Sequence, residues 1–425
     1  MVVTGAIPMA EPFPREGLPL EEARRRVLAA LTPLAGSEVL PLAACLGRVS
    51  AEGCRALEAV PGFRASIMDG YAIADATPLA AGMAWRLVGR SAPGAPFARE
   101  LAGGEAIRIL TGAPLPAGAT RVLPQELVQV EGGGQGGGER LRLMGEAGAN
   151  PWIRAADEEA APGQELLAAG VRLGPADLGR LAGCGVAALA VRPRPRIGLL
   201  ISGDELVAAG EPRRPGAIWE SNSTLLAALL ARLGYGVAER LVVADEPGAL
   251  AAALGQLAAG CDVVVSTGGV SAGDADWIRP LLVERGSVDF WKLFLKPGRP
   301  FAFGQLAGRP FFGLPGNPVA AAITALQLLW PALQALEGAE PELLPRLPVR
   351  LAAPLKRGAG RPELARARLR VGEDGALLAV VEGSQASSRI GSLQGADLLL
   401  EIPAELGQLE AGTRLWAQLL RLPLF

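Results

Sequence analysis

Residues 261–318 concentrate side chains and turns that could do chemistry on anions. An apolar run, Val263 to Val265, empties into Ser266-Thr267-Gly268-Gly269, and Ser271, Asp274 and Asp276 follow. Glycines after a strand let backbone N–H groups turn toward a phosphate unobstructed, and a following helix start adds positive potential. No Gly-Lys-Ser/Thr follows, so this is not a Walker loop, and it does not match G-x-G-x-x-G. A glycine turn alone is often structural; the two aspartates beside this one favour a site. Lys292 and Lys296 stand four apart, an even spacing that puts both on one face of an extended segment. Such lysines can simply lie along an apolar surface with their ammonium groups in water, but Phe290, Trp291 and Phe294 crowd these two. The turn Gly313-Leu314-Pro315-Gly316-Asn317-Pro318 leads into a helix start whose free amides suit an oxyanion.

Further acids stand at other strand ends. In Ser202-Gly203-Asp204-Glu205, one acid can cap the loop while the other, Glu205 in this reading, reaches the cleft. Asp245 ends a strand before Pro247 and reads equally well as a helix N-cap. Asn222 reads as the cap of the helix that follows it. Carboxylates converging on a phosphate cradle suit Mg²⁺, which takes oxygen ligands and bridges phosphate oxygens. Asp69, in SIMDGYAI, and Thr111, in RILTGAPLP, are ordinary turn residues when taken singly. The chain contains no histidine. Ser-His triads, imidazole acid–base catalysis and His-ligated metals are thereby excluded.

The chain has 425 residues, half of them hydrophobic and a fifth charged, which predicts several globular domains. A net charge of −2 without a long basic block argues against nucleic-acid or anionic-membrane binding. Cys45, Cys54, Cys184 and Cys261 are scattered, with no C-x-x-C pair to suggest zinc or a redox dithiol. No uninterrupted apolar run is long enough for a membrane span, and the N-terminus does not read as a secretory signal. The cytoplasm is the expected location.

The positioning elements follow from periodicity. Residues 20–31 have helical spacing, with Pro19 near the start and acids in the first turn. From about 60 to 150, short runs (AWRLVG, AIRIL, RVLPQELVQV, RLRLM) between Pro and Gly turns predict a small all-β module. From Arg196, strands alternate with helices, including a helix over about 275–285 and a longer one from Pro318. That alternation predicts a parallel, doubly wound sheet with ligands at the carboxyl ends of its strands. Short strands after about 345 predict a final β domain.

Taken in order, SIMDGYAI, RILTGAPLP, SGDEL, STGGVSAGDAD, FWKLFLKPGRPFAFG and GLPGNP resemble the molybdopterin molybdenumtransferase family, over nearly the whole chain. The resemblance implies an α/β multidomain protein. Residues 16–60 plus 151–190 would form an elongated mixed domain, and 61–150 an inserted β domain. Residues 191–340 would be a doubly wound molybdopterin-binding α/β domain, and 345–425 a C-terminal β-barrel-like domain. It also implies a homodimer whose partner completes the cleft. The implied activity takes adenylylated molybdopterin and molybdate, and releases AMP in a Mg²⁺-dependent step. A molybdopterin adenylyltransferase and molybdoenzyme chaperones are implied partners.

By motif match, Asp69, Thr111, Glu205, Asp245, Asp276, Lys292 and Lys296 would serve the reaction. Ser202, Gly203, Asn222, Ser266, Thr267, Gly268, Gly269 and Ser271 would line the pterin side. Pro315, Asn317 and Pro318, with Arg366 from GRPELARARL and Ser387 from GSQASSRIGS, would line the molybdate side. Glu159, Glu205 and Asp276 would be the metal ligands. Asp157-Glu158-Glu159 stands where the family has Gly-Glu-Asp, so the aligned acid is one methylene longer. Ser202 replaces the common Thr, and Ala396-Asp397 stands for an Ala-Asn pair. The extra β modules argue against a molybdopterin adenylyltransferase, and the intact charged residues against a non-catalytic scaffold.

Overall fold

The computed structural model describes residues 17–75, 78–132, 138–269 and 277–421. The first helix, Leu20–Ala29, follows Pro19 and places Glu21 and Glu22 in its first turn. Its inner face, Ala23 and Val27, is fully buried. The strand Glu38–Pro41 pairs antiparallel with Ala188–Val191, which closes the first domain across the whole insertion. Leu42, Cys45, Leu173, Leu181 and Val191 form its core.

The inserted module is a six-stranded sheet. Most neighbours are antiparallel, but Ala84–Ser91 and Glu105–Ile109 run parallel. Apolar clusters cover both faces, one around Ile107 and Val122, the other around Trp85 and Leu141. RVLPQELVQV, expected as one strand, is two: the 3₁₀ turn Gln125–Leu127 breaks it after Pro124, whose missing N–H cannot extend a ladder.

The α/β domain carries strands β1 (Ile197–Ser202), β2 (Val237–Val243), β3 (Val263–Thr267), β4 (Gly286–Trp291), β5 (Ala302–Leu306) and β6 (Arg309–Leu314). Their order is β2-β1-β3-β6-β5-β4. Every residue of β1 and β3 is buried, whereas β2 alternates half-buried and exposed residues, as befits an edge. The expected parallel, doubly wound sheet is present, with an antiparallel extension at one edge. β2, β1, β3 and β6 are parallel, but β5 is antiparallel to both β6 and β4. The reason is the two-residue turn Ala307-Gly308, with φ of 48° and 78°, which forces β5 and β6 into a tight hairpin.

Helices Asn222–Arg232, Pro247–Gly260, Ile278–Arg285 and the long Pro318–Leu336 flank this sheet. The last contains a π turn at Ala325–Leu329. It is the one helix among the described residues apolar and long enough to cross a membrane, yet it is the buried centre of the largest core. The final domain is a closed five-stranded barrel: Arg346–Leu351, Leu377–Val380, Glu363–Val371, Leu398–Ile402 and Arg414–Leu419.

Two junctions fix the domains to one another. At the first, the fully buried Glu337 carboxylate accepts from Arg172 Nη2 (2.9 Å) and from the Tyr235 hydroxyl (3.0 Å). Arg172, anchored within the first domain by the Gly47 carbonyl, thereby ties that domain to the α/β domain. Burial pushes the Tyr235 phenol well above its usual range, so it stays a donor. At the second, Arg24 of the first helix donates to the Gln327 carbonyl and side chain, both at 3.1 Å. Gln327 Nε2 in turn donates to Gln418 of the barrel (2.7 Å).

Candidate active site

The fully buried strands β1 and β3 end at Ser202 and Thr267, so their loops emerge together at the carboxyl edge of the sheet. The turn after β6 joins them. A cleft of about 650 Å³ opens there. Gly268 and Gly269 hold consecutive left-handed φ values of 87° and 61°. A Cβ on Gly268 would lie 2.5 Å from the Ser202 carbonyl oxygen, so this close approach needs glycine. The Pro315–Pro318 turn packs in ordinary contact with it, since a Cβ on Gly316 would sit 3.7 Å from Gly268 Cα.

Asn222 joins the two turns. Its Nδ2 donates to Thr267 Oγ1 (3.2 Å) and to the Gly316 carbonyl (2.8 Å). Its Oδ1 and the Ser266 hydroxyl are buried without a partner. Asn222 is therefore not the helix cap expected from sequence. Ser221 occupies the cap position, and Glu220 accepts from the Ser223 N–H (2.8 Å) in place of a capping Asn.

Among the expected residues, Ser202, Glu205, Asn222, Thr267, Gly268 and Gly269 line this cleft. Pro315, Asn317, Pro318 and Ser387 line it from the far side. Gly203 sits in the turn between Ser202 and Glu205; a Cβ there would meet the Glu205 carboxylate at 2.8 Å. Asp204 is occupied by the loop, its Oδ1 accepting from the Asp245 N–H (3.1 Å). Asp245 is not the N-cap of the next helix; Glu246 is, accepting from the Ala249 N–H (2.8 Å). Asp245 is left with a buried, unpartnered Oδ1. Burial pushes its carboxyl up, the neighbouring Ser202 hydroxyl opposes this, and the Asp204 and Glu205 charges add to the rise.

The two lysines differ from expectation. The extended run ends at Trp291, and Lys292 adopts a left-handed φ of 95°, so no single strand face carries both. The chain leaves the sheet there because it has other partners. The Lys292 carbonyl accepts from Leu18 N–H (3.1 Å), and the Lys296 carbonyl from Leu364 N–H (2.8 Å). Lys296 Nζ lies 3.1 Å from Glu363, a buried carboxylate that Arg357 also approaches at 3.2 Å.

Arg366 is buried behind the loop that carries Ser387. Its Nε donates to Ser392 Oγ (3.1 Å) and its Nη2 to the Ala386 carbonyl (3.3 Å), while Nη1 has no partner. It lines a smaller cavity of about 200 Å³ with Ser384, Arg389 and Ser392. Gln385 brackets the Arg366 backbone, accepting from its N–H (2.9 Å) and donating to its carbonyl (3.2 Å). The Ser387 carbonyl accepts from Val319 N–H (3.1 Å), docking this loop onto the first turn of the long helix.

Asp69, Thr111 and Glu159 stand in other domains of the chain, away from the cleft. Asp69 Oδ1 accepts from the Thr111 N–H and hydroxyl, both at 2.8 Å, in the inserted module. Those bonds hold the Asp69 carboxyl below its usual range. Glu159 pairs with Arg180 (3.1 Å) in the first domain. Ser271, Asp274 and Asp276 lie outside the described residues. No group of three His, Cys, Asp or Glu poised for a metal exists among the described residues. Conversely, Trp219, Glu220, Ser388 and Ile390 line the cleft without having been singled out. The Trp-Glu pair just before Asn222, in a loop rich in Pro and Gly, was the available signal for the first two.

Residues 18–185 match the MoeA N-terminal region, domains I and II, and residues 198–335 match a probable molybdopterin binding domain. Residues 348–420 match the MoeA C-terminal region, domain IV. The chain is 32% identical to a molybdopterin molybdenumtransferase of Haemophilus influenzae, covering 93% of this chain and 96% of that one. It is 31% identical to molybdopterin molybdenumtransferase 2 of Mycobacterium tuberculosis, over 93% of this chain and 98% of that one. A solved molybdopterin biosynthesis MoeA protein from Pyrococcus horikoshii OT3 superposes with a TM-score of 0.78, at 26% identity over 95% of this chain and all of that one. With three consecutive regions matched and relatives aligned end to end, the chain belongs to the molybdopterin molybdenumtransferase (MoeA) family.

Proposed function

We propose that this protein inserts molybdenum from molybdate into adenylylated molybdopterin and releases AMP. One observation carries the reading: Asn222 locks a glycine turn and a Pro-Gly-Asn-Pro turn side by side in one cleft. Two anions can then be held a short distance apart, with the substrate between them. On the glycine side, the Gly268 and Gly269 amides would receive pyrophosphate oxygens. On the other side, molybdate would face the Pro315–Pro318 turn and Ser387, with Arg366, buried behind the Ser387 loop, adding positive charge at longer range. The nucleophiles are the substrate's own sulfurs, so the protein need only position, charge-balance and exclude water. A chain without histidine can do all three.

Mg²⁺ fits the donors near the glycine turn. Asp245 carries a buried, unpartnered oxygen that nearby carboxylates further destabilise, and a divalent cation would relieve both. Glu205 and Asp245 would hold it, because Mg²⁺ needs only one or two protein carboxylates beside phosphate oxygens. When bound, it supplies charge to the pyrophosphate as AMP leaves. Asp69 and Thr111 would enter from a second copy in a homodimer. The test is a purified protein given adenylylated molybdopterin, molybdate and Mg²⁺. Molybdate-dependent AMP release with cofactor formation is expected, and its absence sinks the reading.

A further inference from the structure

Trp219 stands at the wall of the cleft with half its surface exposed, an unusual state for an indole that is otherwise fixed. Its strand, Ile218–Trp219, pairs in parallel with Leu206–Val207, the segment that directly follows Glu205. The indole Nε1–H donates to the Glu211 carbonyl (2.9 Å), which sets the ring's orientation. The Arg213 guanidinium sits over one face, 4.3 Å from the ring centroid. Trp219 lines the cleft together with Glu220, Asn222 and the glycine turn. Arg213 does not, so the cation backs the indole without itself occupying the cleft wall.

We propose that Trp219 is the stacking platform for a flat heteroaromatic ring of the substrate, and that this residue sets affinity for that ring. The inference rests on the proposed function, whose substrate carries two such rings, a pterin and an adenine. An indole held by a hydrogen bond and backed by a cation is pre-organised to take a third layer. Little conformational freedom remains to be lost on binding, so the stack is translated into affinity.

The test uses the intact protein and two variants, Trp219→Ala and Trp219→Phe. Trp219→Ala is expected to raise KM for adenylylated molybdopterin about tenfold, the scale of one lost aromatic stack, with KM for molybdate unchanged and Trp219→Phe restoring most of the loss. An unchanged KM for adenylylated molybdopterin, or an equal rise for molybdate, overturns the proposal. Separately, tryptophan emission is followed during titration with AMP alone and with neopterin alone, in wild type and in Trp219→Phe. Quenching by AMP that disappears in Trp219→Phe assigns the platform to adenine, and the same pattern with neopterin assigns it to the pterin. Quenching by neither overturns it. The titration needs no turnover. A protein that is quenched but releases no AMP therefore defeats the proposed function and leaves the platform standing.

Discussion

Asn222 holds two turns with one amide; its contact with Thr267 is buried and its contact with the Gly316 carbonyl partly so. Replacing it with Leu keeps the branched shape but strands the Thr267 hydroxyl and the Gly316 carbonyl. Leaving a buried polar group unsatisfied costs ~1–3 kcal/mol, so Asn222→Leu should lower the unfolding midpoint of the α/β domain in urea. Activity should fall further than stability, because the two turns lose their common tether. Thr267→Val removes only the hydroxyl end of the contact and is expected to fall between wild type and Asn222→Leu in both measurements. Residue types in the glycine turn and the Pro-Gly-Asn-Pro turn were legible in the sequence because their chemistry is local. The role of Asn222 was not, since a helix start explains an Asn equally well until Gly316, 94 residues away, is seen to be its partner.

The turn after β3 is the element that shapes the cleft, and it depends on glycine at 268. An alanine there must keep a left-handed φ and push against the Ser202 carbonyl. The φ alone costs ~1–2 kcal/mol, about tenfold if drawn from substrate affinity. Gly268→Ala should therefore raise KM for adenylylated molybdopterin in steady-state assays while the β module unfolds as in wild type. That module has its own electrostatic staple. Glu105 accepts from Arg99 (2.7 Å) and Arg86 (2.6 Å), and the Arg99 bond above all holds its carboxyl at about 2 instead of 4.5. A depressed folded-state value means the contribution is complete above pH 4.5 and is lost as pH falls toward 2. Thermal unfolding of the module should become easier across that window, and Glu105→Gln should flatten the dependence. The strand–helix alternation of the α/β domain was readable from period and length. The reversed β5 was not, because a two-residue turn at Ala307-Gly308 decides it, and Ala is a poor advertisement for a left-handed φ.

Across the whole molecule, the first domain is fastened to the α/β domain through Glu337, a carboxylate with no exposed surface. Removing one partner of a buried charge pair costs ~3–5 kcal/mol. Glu337→Ala should split a shared unfolding transition into two in calorimetry, as the domains lose their joint, with Glu337→Gln intermediate. The pair spans 165 positions, which is why neither residue drew notice in sequence. The second junction has a consequence for how the protein is made. Arg24 and its acceptor Gln327 lie 303 positions apart. At a synthesis rate of about 5–20 residues per second, the first helix emerges from the ribosome roughly 15–60 s before the residue it docks on exists. The inserted β module, whose pairings are all internal, can finish in that interval. The helix Leu20–Ala29 thus waits on a segment made much later, and its apolar face must be kept from wrong partners until Gln327 has been made.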